Sequence, residues 1–223
     1  MLSSSEVCSI DILADMMMDF SIDKMDNTGY RSLFRYQDRK FIGYQAQLNS
    51  FQIDNQKLIS LVEAGIARLH TENNGGVLLL PVRAEQICDQ DLMTVLLDRL
   101  LKLRFSWRNV VLIIQSLSEN QSLEQFNQAA YRLHSCQLQL WLAAPLYMRF
   151  QSLCESMLFD TVYFDYSEYS KKDLLLDSIS LQQLYSSGIT VVFSEPPKSL
   201  VDELFEHSSL ILASFDSDIF YLS

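Results

Sequence analysis

Glycine and proline are scarce in this chain, at six and four of 223 residues. Collagen-like and low-complexity linker sequences depend on those two residues, so both classes are excluded. Cysteine is thin as well. Cys8, Cys88, Cys136 and Cys154 lie far apart, with no CxxC pair and no cysteine–histidine cluster, so they read as buried free thiols in a reducing compartment. Positive charge is in deficit: the net charge is −11 and the pI is near 4.6, which disfavours direct binding to nucleic-acid phosphates. No apolar run approaches the ~20 residues of a membrane helix. No P-loop, Gly-x-Ser-x-Gly or HExxH pattern occurs. Near the first residue stand Glu6, Asp11, Asp15 and Asp19, where a signal peptide would carry a basic region. The expectation is a cytoplasmic protein with no membrane segment.

What is present is apolar and aromatic content, 48% and 11%, enough for a packed globule of one domain's length. The acid excess is uneven. Residues 155–223 carry twelve acids against three lysines, either a solvated face or an acidic docking surface for a basic partner.

Residues 1–28 stand apart. Ile10, Ile12, Leu13, Met16, Met17 and Phe20 make an apolar helical stripe, so a helical N-terminal extension is expected over 1–28. It would either pack on the remainder or offer a Met-rich surface to a partner. Residues 29–223 form the expected main domain. Asp26-Asn27-Thr28-Gly29 reads as a turn before it. Leu33-Phe34-Arg35-Tyr36 and the run 41–48 flank a polar turn, as a hairpin does. Leu58, Leu61, Val62, Ile66 and Leu69 share a helical face. Val77-Leu78-Leu79-Leu80 is uniformly apolar, as in a strand covered on both faces. A second helical stripe reads Leu92, Val95, Leu96, Leu100 and Leu103, and Ser122 is placed to cap a third helix. Further strands are expected at 110–114, 138–144, 161–165, 189–193 and 210–213, and helices at 173–184 and 197–205. Eight strands, mostly separated by helices, imply an α/β protein of the TIM-type (β/α)8 barrel class, with an antiparallel first strand and a reduced helix set.

Such a barrel places its reactive groups at the C-terminal ends of its strands. Those ends offer Gln45, Pro81, Gln115, Ala143, Ala144, Tyr163, Asp165, Ser194, Glu195 and Ser214. Only Asp165 and Glu195 carry charge, too few for the converging carboxylates of two-metal hydrolysis. His70, His134 and His207 fall at expected helix ends, away from the strand tips.

The stretch Phe41-Ile42-Gly43-Tyr44-Gln45-Ala46-Gln47-Leu48-Asn49 resembles the opening strand of the EAL cyclic-di-GMP phosphodiesterase domain, Gly-x-Glu-Ala-Leu-Leu-Arg. Gly43 sits at a close-packed point, Gln45 stands for the glutamate, and Asn49 stands for the arginine. The resemblance runs in order from Tyr30 to the C-terminus. Pro81 takes the place of a metal-binding asparagine. Leu112 and Gln115 take the places of a metal-binding and a loop-anchoring glutamate. Ala143 and Ala144 replace the paired aspartates, and Tyr163 replaces the lysine of Leu-Lys-Ile-Asp, whose aspartate survives as Asp165. Ser194 replaces the last metal-site glutamate.

The resemblance implies a degenerate EAL-like protein without metal, cofactor or catalytic residues. Its implied role is regulation through a protein partner, a transcription or post-transcriptional regulator, without cyclic-di-GMP hydrolysis. The alternative is a receptor in which the degenerate site still takes cyclic-di-GMP or another nucleotide. Against that alternative, the expectation is that phosphates meeting Asp165 and Glu195 find no cation and are repelled.

Overall fold

A hairpin opens the described part of the chain: β1 (Gly29–Arg35) runs antiparallel to β2 (Phe41–Gln47). The computed structural model describes residues 29–47, 54–71, 76–118, 121–149, 158–166, 184, 186, 188–196, 210–213 and 219–221. The helices expected within 1–28 and at 197–205, most of that at 173–184, and Asn49, His207 and Ser214 lie outside the described residues.

After the hairpin, strands and helices alternate. Helix α1 (Asn55–Thr71) starts where Asp54 accepts a hydrogen bond from the Lys57 backbone N–H at 2.7 Å. It buries Leu58, Leu61, Val62, Gly65, Ile66 and Leu69, the face that the sequence marks. Next come β3 (Val77–Arg83), the short α2 (Ala84–Cys88) and α3 (Gln90–Lys102), with Asp89 capping α3 through the Leu92 N–H. Then follow β4 (Val110–Ser116), α4 (Leu123–Ser135), β5 (Gln139–Ala143), α5 (Ala144–Arg149) and β6 (Thr161–Asp165). Ser122 caps α4 as expected, accepting from the Gln125 N–H. The remaining described strands are β7 (Thr190–Ser194), β8 (Leu210–Ala213) and β9 (Ile219–Tyr221). Helices α2 and α5 and strand β9 have no counterpart in the sequence reading; two are very short helices and one is a three-residue strand, below the length at which periodicity speaks.

Strands β2 to β8 are parallel neighbours in chain order, and β1 closes the circle by pairing antiparallel with both β2 and β8. The result is the expected closed eight-stranded barrel. Strand β9 pairs with residues 29–31 of β1, along the edge where β8 pairs with Phe34 and Arg35. Alternation along each strand sorts the core into two layers. Leu33, Leu79, Val111, Ile113, Trp141, Ala143, Tyr163, Val192 and Leu212 fill the barrel interior. Leu78, Leu80, Leu112 and Ile114 face outward, in one cluster with Leu58, Ile66, Leu96 and Phe126 of the surrounding helices.

One residue of the second expected helical stripe is displaced. Helix α3 packs through Leu92, Met93, Leu96 and Leu100, and Val95 is 45% exposed. The groove that α3 covers lies on the side of Met93, so Val95 rotates into solvent.

Candidate functional site

Because β1 runs against its neighbours, its first residues lie at the end of the barrel where the parallel strands finish. Arg31 is thereby the cross-strand partner of Gln45, and Gly29 that of Gln47. Cross-strand partners share a face of the sheet. Asp165 and Ser194 are partners in the same way on β6 and β7. Alternation from Leu33 and Tyr163, both interior, turns Arg31 and Asp165 inward as well.

The side chains converge on one guanidinium nitrogen. Arg31 Nη2 donates to Gln45 Oε1 at 2.6 Å, to Asp165 Oδ2 at 2.7 Å and to Ser194 Oγ at 3.2 Å. Its Nη1 lies 3.9 Å from Glu195 Oε1. The Tyr163 hydroxyl donates to Gln45 Oε1 at 2.8 Å and lies 3.3 Å from Asp165 Oδ2. Gln45 Nε2 donates to Asp165 Oδ2 at 3.1 Å. Arg31, Gln45, Tyr163, Asp165 and Ser194 are all buried.

This network explains the amide at position 45. Gln45 accepts from two donors through its oxygen and donates to Asp165 through its nitrogen, using both ends of the group. Glutamine serves here because a second carboxylate would stand against Asp165 without a proton between them. For Arg31, burial is the largest influence and acts to lower its pKa, but it is outweighed. The negative charge of Asp165, then the Tyr163 oxygen, Glu195 and the hydrogen bond to Asp165 together raise it above its ordinary value. The guanidinium is therefore permanently charged.

Glu195 follows β7 in the left-handed region, with φ of 55°. For a non-glycine residue that conformation costs on the order of 1 kcal/mol or more and persists only when neighbours fix it. They do so here: the Glu195 N–H donates to the Leu212 carbonyl at 3.0 Å, and the Tyr166 N–H donates to the Ser194 carbonyl at 2.9 Å. The turn aims the carboxylate back towards Arg31.

Of the positions marked in the sequence, Gln45, Tyr163, Asp165 and Ser194 are brought together. Ala143 lines the barrel interior without joining the polar cluster. Pro81, the cross-strand partner of Ile113, is buried, and Gln115 is half-buried at the end of β4. Leu112 and Ala144 require correction. Both pack in the outer layers, Leu112 in the cluster that holds the helix residues Leu58 and Phe126, and Ala144 with Val162 and Phe164. Their backbone phase points them away from the mouth; the inward neighbours are Ile113 and Ala143.

Sequence reading misses Arg31 altogether. It searches the ends of parallel strands and leaves Arg31 between the turn at 26–29 and the apolar run that starts at Leu33. The available signal is the period of two from Leu33 back to Arg31, which predicts an inward arginine once the strand is extended. With Arg31 present, the expectation of a mouth without any cation is also corrected: a cation is there, and Asp165 holds it.

Hollows lie elsewhere among the described residues, on the helix layer. One, of about 710 Å³, is bordered by Glu124, Gln128 and Tyr131 of α4, and one of about 470 Å³ lies between α1 and α3. Neither shares a residue with the mouth cluster. Among the described residues, no group of three or more His, Cys, Asp and Glu side chains is placed to hold a metal ion, and no helix is long and apolar enough to cross a membrane.

No protein-family profile matches the chain. No curated protein matches it either. Solved structures do. The EAL domain of Mycobacterium smegmatis DcpA superposes with a TM-score of 0.65 at 16% identity, covering 83% of this chain and 87% of that one. An EAL domain protein from Listeria monocytogenes EGD-e gives 0.60 at 14% identity, covering 92% and 90%. The Bacillus subtilis YkuI protein, which has an EAL domain and is in complex with substrate c-di-GMP and calcium, gives 0.58 at 11% identity, covering 93% and 60%. Likeness at these identities is likeness of fold, and the fold of this chain is EAL-like: a TIM-type barrel whose first two strands run antiparallel.

Proposed function

We propose that this protein is a non-catalytic EAL-like regulator that acts in the cytoplasm by gripping another protein, a regulator of transcription or of RNA. The observation that carries this reading is the Arg31 guanidinium seated among Gln45, Asp165 and Ser194. A divalent ion does not fit the same place. Magnesium and calcium take roughly six to eight oxygen ligands, whereas the oxygens here already face a buried positive charge at 2.6 to 3.2 Å. A second cation beside Arg31 would be repelled, and Gln45 and Ser194 bring no negative charge to offset that repulsion. A mouth filled from within leaves the outer surface for recognition. There the helices expose Val95, Leu101, Leu123 and Tyr131, large apolar side chains of the kind a partner covers.

Two measurements on the full chain test this. Purified protein incubated with cyclic-di-GMP and Mg²⁺ or Mn²⁺ is expected to return the dinucleotide intact, and calorimetry is expected to show no binding heat. Affinity capture at native expression is expected to recover one protein in stoichiometric amount. Turnover of the dinucleotide would overturn the proposal, and low-micromolar binding without turnover would replace it with a nucleotide receptor.

A further inference from the structure

We infer that Arg31 is a built-in counter-ion that stands in place of a divalent metal as the charge holding the barrel mouth together, and that its removal would expose a latent cation site. The inference rests on the non-catalytic reading of the mouth and extends it to how the mouth is stabilised. Asp165 is 3% exposed, and a carboxylate so buried needs a partner of opposite charge. The partner comes from β1, the one strand of the barrel that runs backwards, and reaches oxygens on β2, β6 and β7 with a single nitrogen. Glu195 approaches the other nitrogen. The oxygens so gathered are two carboxylates, an amide carbonyl and a hydroxyl. That is a hard-ligand set, of the type that magnesium, calcium and manganese prefer once the guanidinium no longer competes. The mouth of the wild-type barrel is consequently indifferent to metals, and that indifference is a property that Arg31 confers.

Thermal unfolding of the full-length protein, with EDTA and with Mg²⁺, Ca²⁺ or Mn²⁺, tests this. The wild-type midpoint is expected to be the same in all four conditions. Arg31→Met, which keeps length and removes charge, is expected to melt lower by roughly 10 °C. Manganese or calcium should restore part of that loss and EDTA should abolish the restoration. Adding Asp165→Asn to Arg31→Met removes the buried negative charge; the double variant is expected to melt higher than the single one and to ignore cations. Arg31→Lys keeps a charge in place and should remain indifferent to EDTA. A wild-type or Arg31→Lys midpoint that falls on chelation would overturn the inference, and so would an Arg31→Met variant that ignores every cation. If Arg31→Met cannot be isolated folded, Arg31→Gln removes the same charge and is melted in the same four conditions, with rescue by manganese or calcium expected and indifference to every cation overturning the inference. Failure here is separable from failure of the functional reading: metal-dependent melting without turnover removes only this inference, whereas cyclic-di-GMP turnover removes the regulator reading itself.

Discussion

At the scale of single residues, Gly43 shows how much one position can fix. A methyl group placed there would run into the backbone of Val77 on the adjacent strand β3. Backbone does not yield as a side chain does, so Gly43→Ala is expected to lower stability by at least about 2 kcal/mol, measured by urea unfolding. Cys88 makes a different prediction. Burial, then the neighbouring charge of Glu85, push its thiol pKa up against a smaller opposing influence of Arg132. Since the thiolate is the reactive form, iodoacetamide at neutral pH should modify Cys88 more slowly than an unstructured thiol, and the rate should keep rising into alkaline pH. Gly43 is legible in the sequence, because a lone glycine within an apolar strand signals close approach. Arg31 is legible only once β1 is extended back past Leu33, because the expected strand opens at Leu33 and leaves the arginine outside it.

At the scale of elements, helix α3 separates what periodicity reveals from what packing decides. Val95 and Leu96 belong to the same apolar stripe in sequence, yet Val95 is 45% exposed and Leu96 is fully buried. Leu96→Ala is expected to cost about 2–5 kcal/mol and Val95→Ala to stay within about 0.5 kcal/mol of wild type, both read from denaturant midpoints. The strands are the more legible elements: the run expected at 161–165 coincides with β6, and uniform apolar runs mark β3 and β4. Helix α2 is invisible at five residues, although it anchors a loop. Glu85 at its start accepts from the Ser118 N–H at 3.1 Å. Burial acts to raise the Glu85 pKa, but hydrogen bonds from its own and the Ser118 N–H, the Ser118 hydroxyl and the charge of Arg83 outweigh it and hold it below the ordinary value. A carboxyl depressed on folding stabilises above its unfolded pKa and ceases to do so as pH falls through the folded one. Glu85→Gln should therefore flatten the acid limb of the stability profile below about pH 4.5, by a small amount because Glu85 is only half-buried and solvent screens part of the interaction.

At the scale of the molecule, the barrel closes through a joint of a different kind from its others. Strands β3 and β4 pair parallel over six register pairs, whereas β1 meets β8 antiparallel, among the described residues at Phe34 with Ala213 and Arg35 with Leu212. Hydrogen exchange followed along the chain should show the slowest amides in β3 and β4 and faster exchange at the β1–β8 seam. A seam that exchanged as slowly as β4 would contradict this account. The closed barrel is readable from eight apolar runs alternating with helical faces; the location of its seam is not, since that depends on which strand pairs with which.

The mouth network also bears on any single exchange at its centre. Gln45→Glu would set a second carboxylate against Asp165, with both competing for one nitrogen of Arg31 that now serves the two positions at 2.6 and 2.7 Å. A ring of mutually dependent donors and acceptors resists piecemeal alteration: one member changed alone misfits the rest, so these side chains are free to vary only in concert.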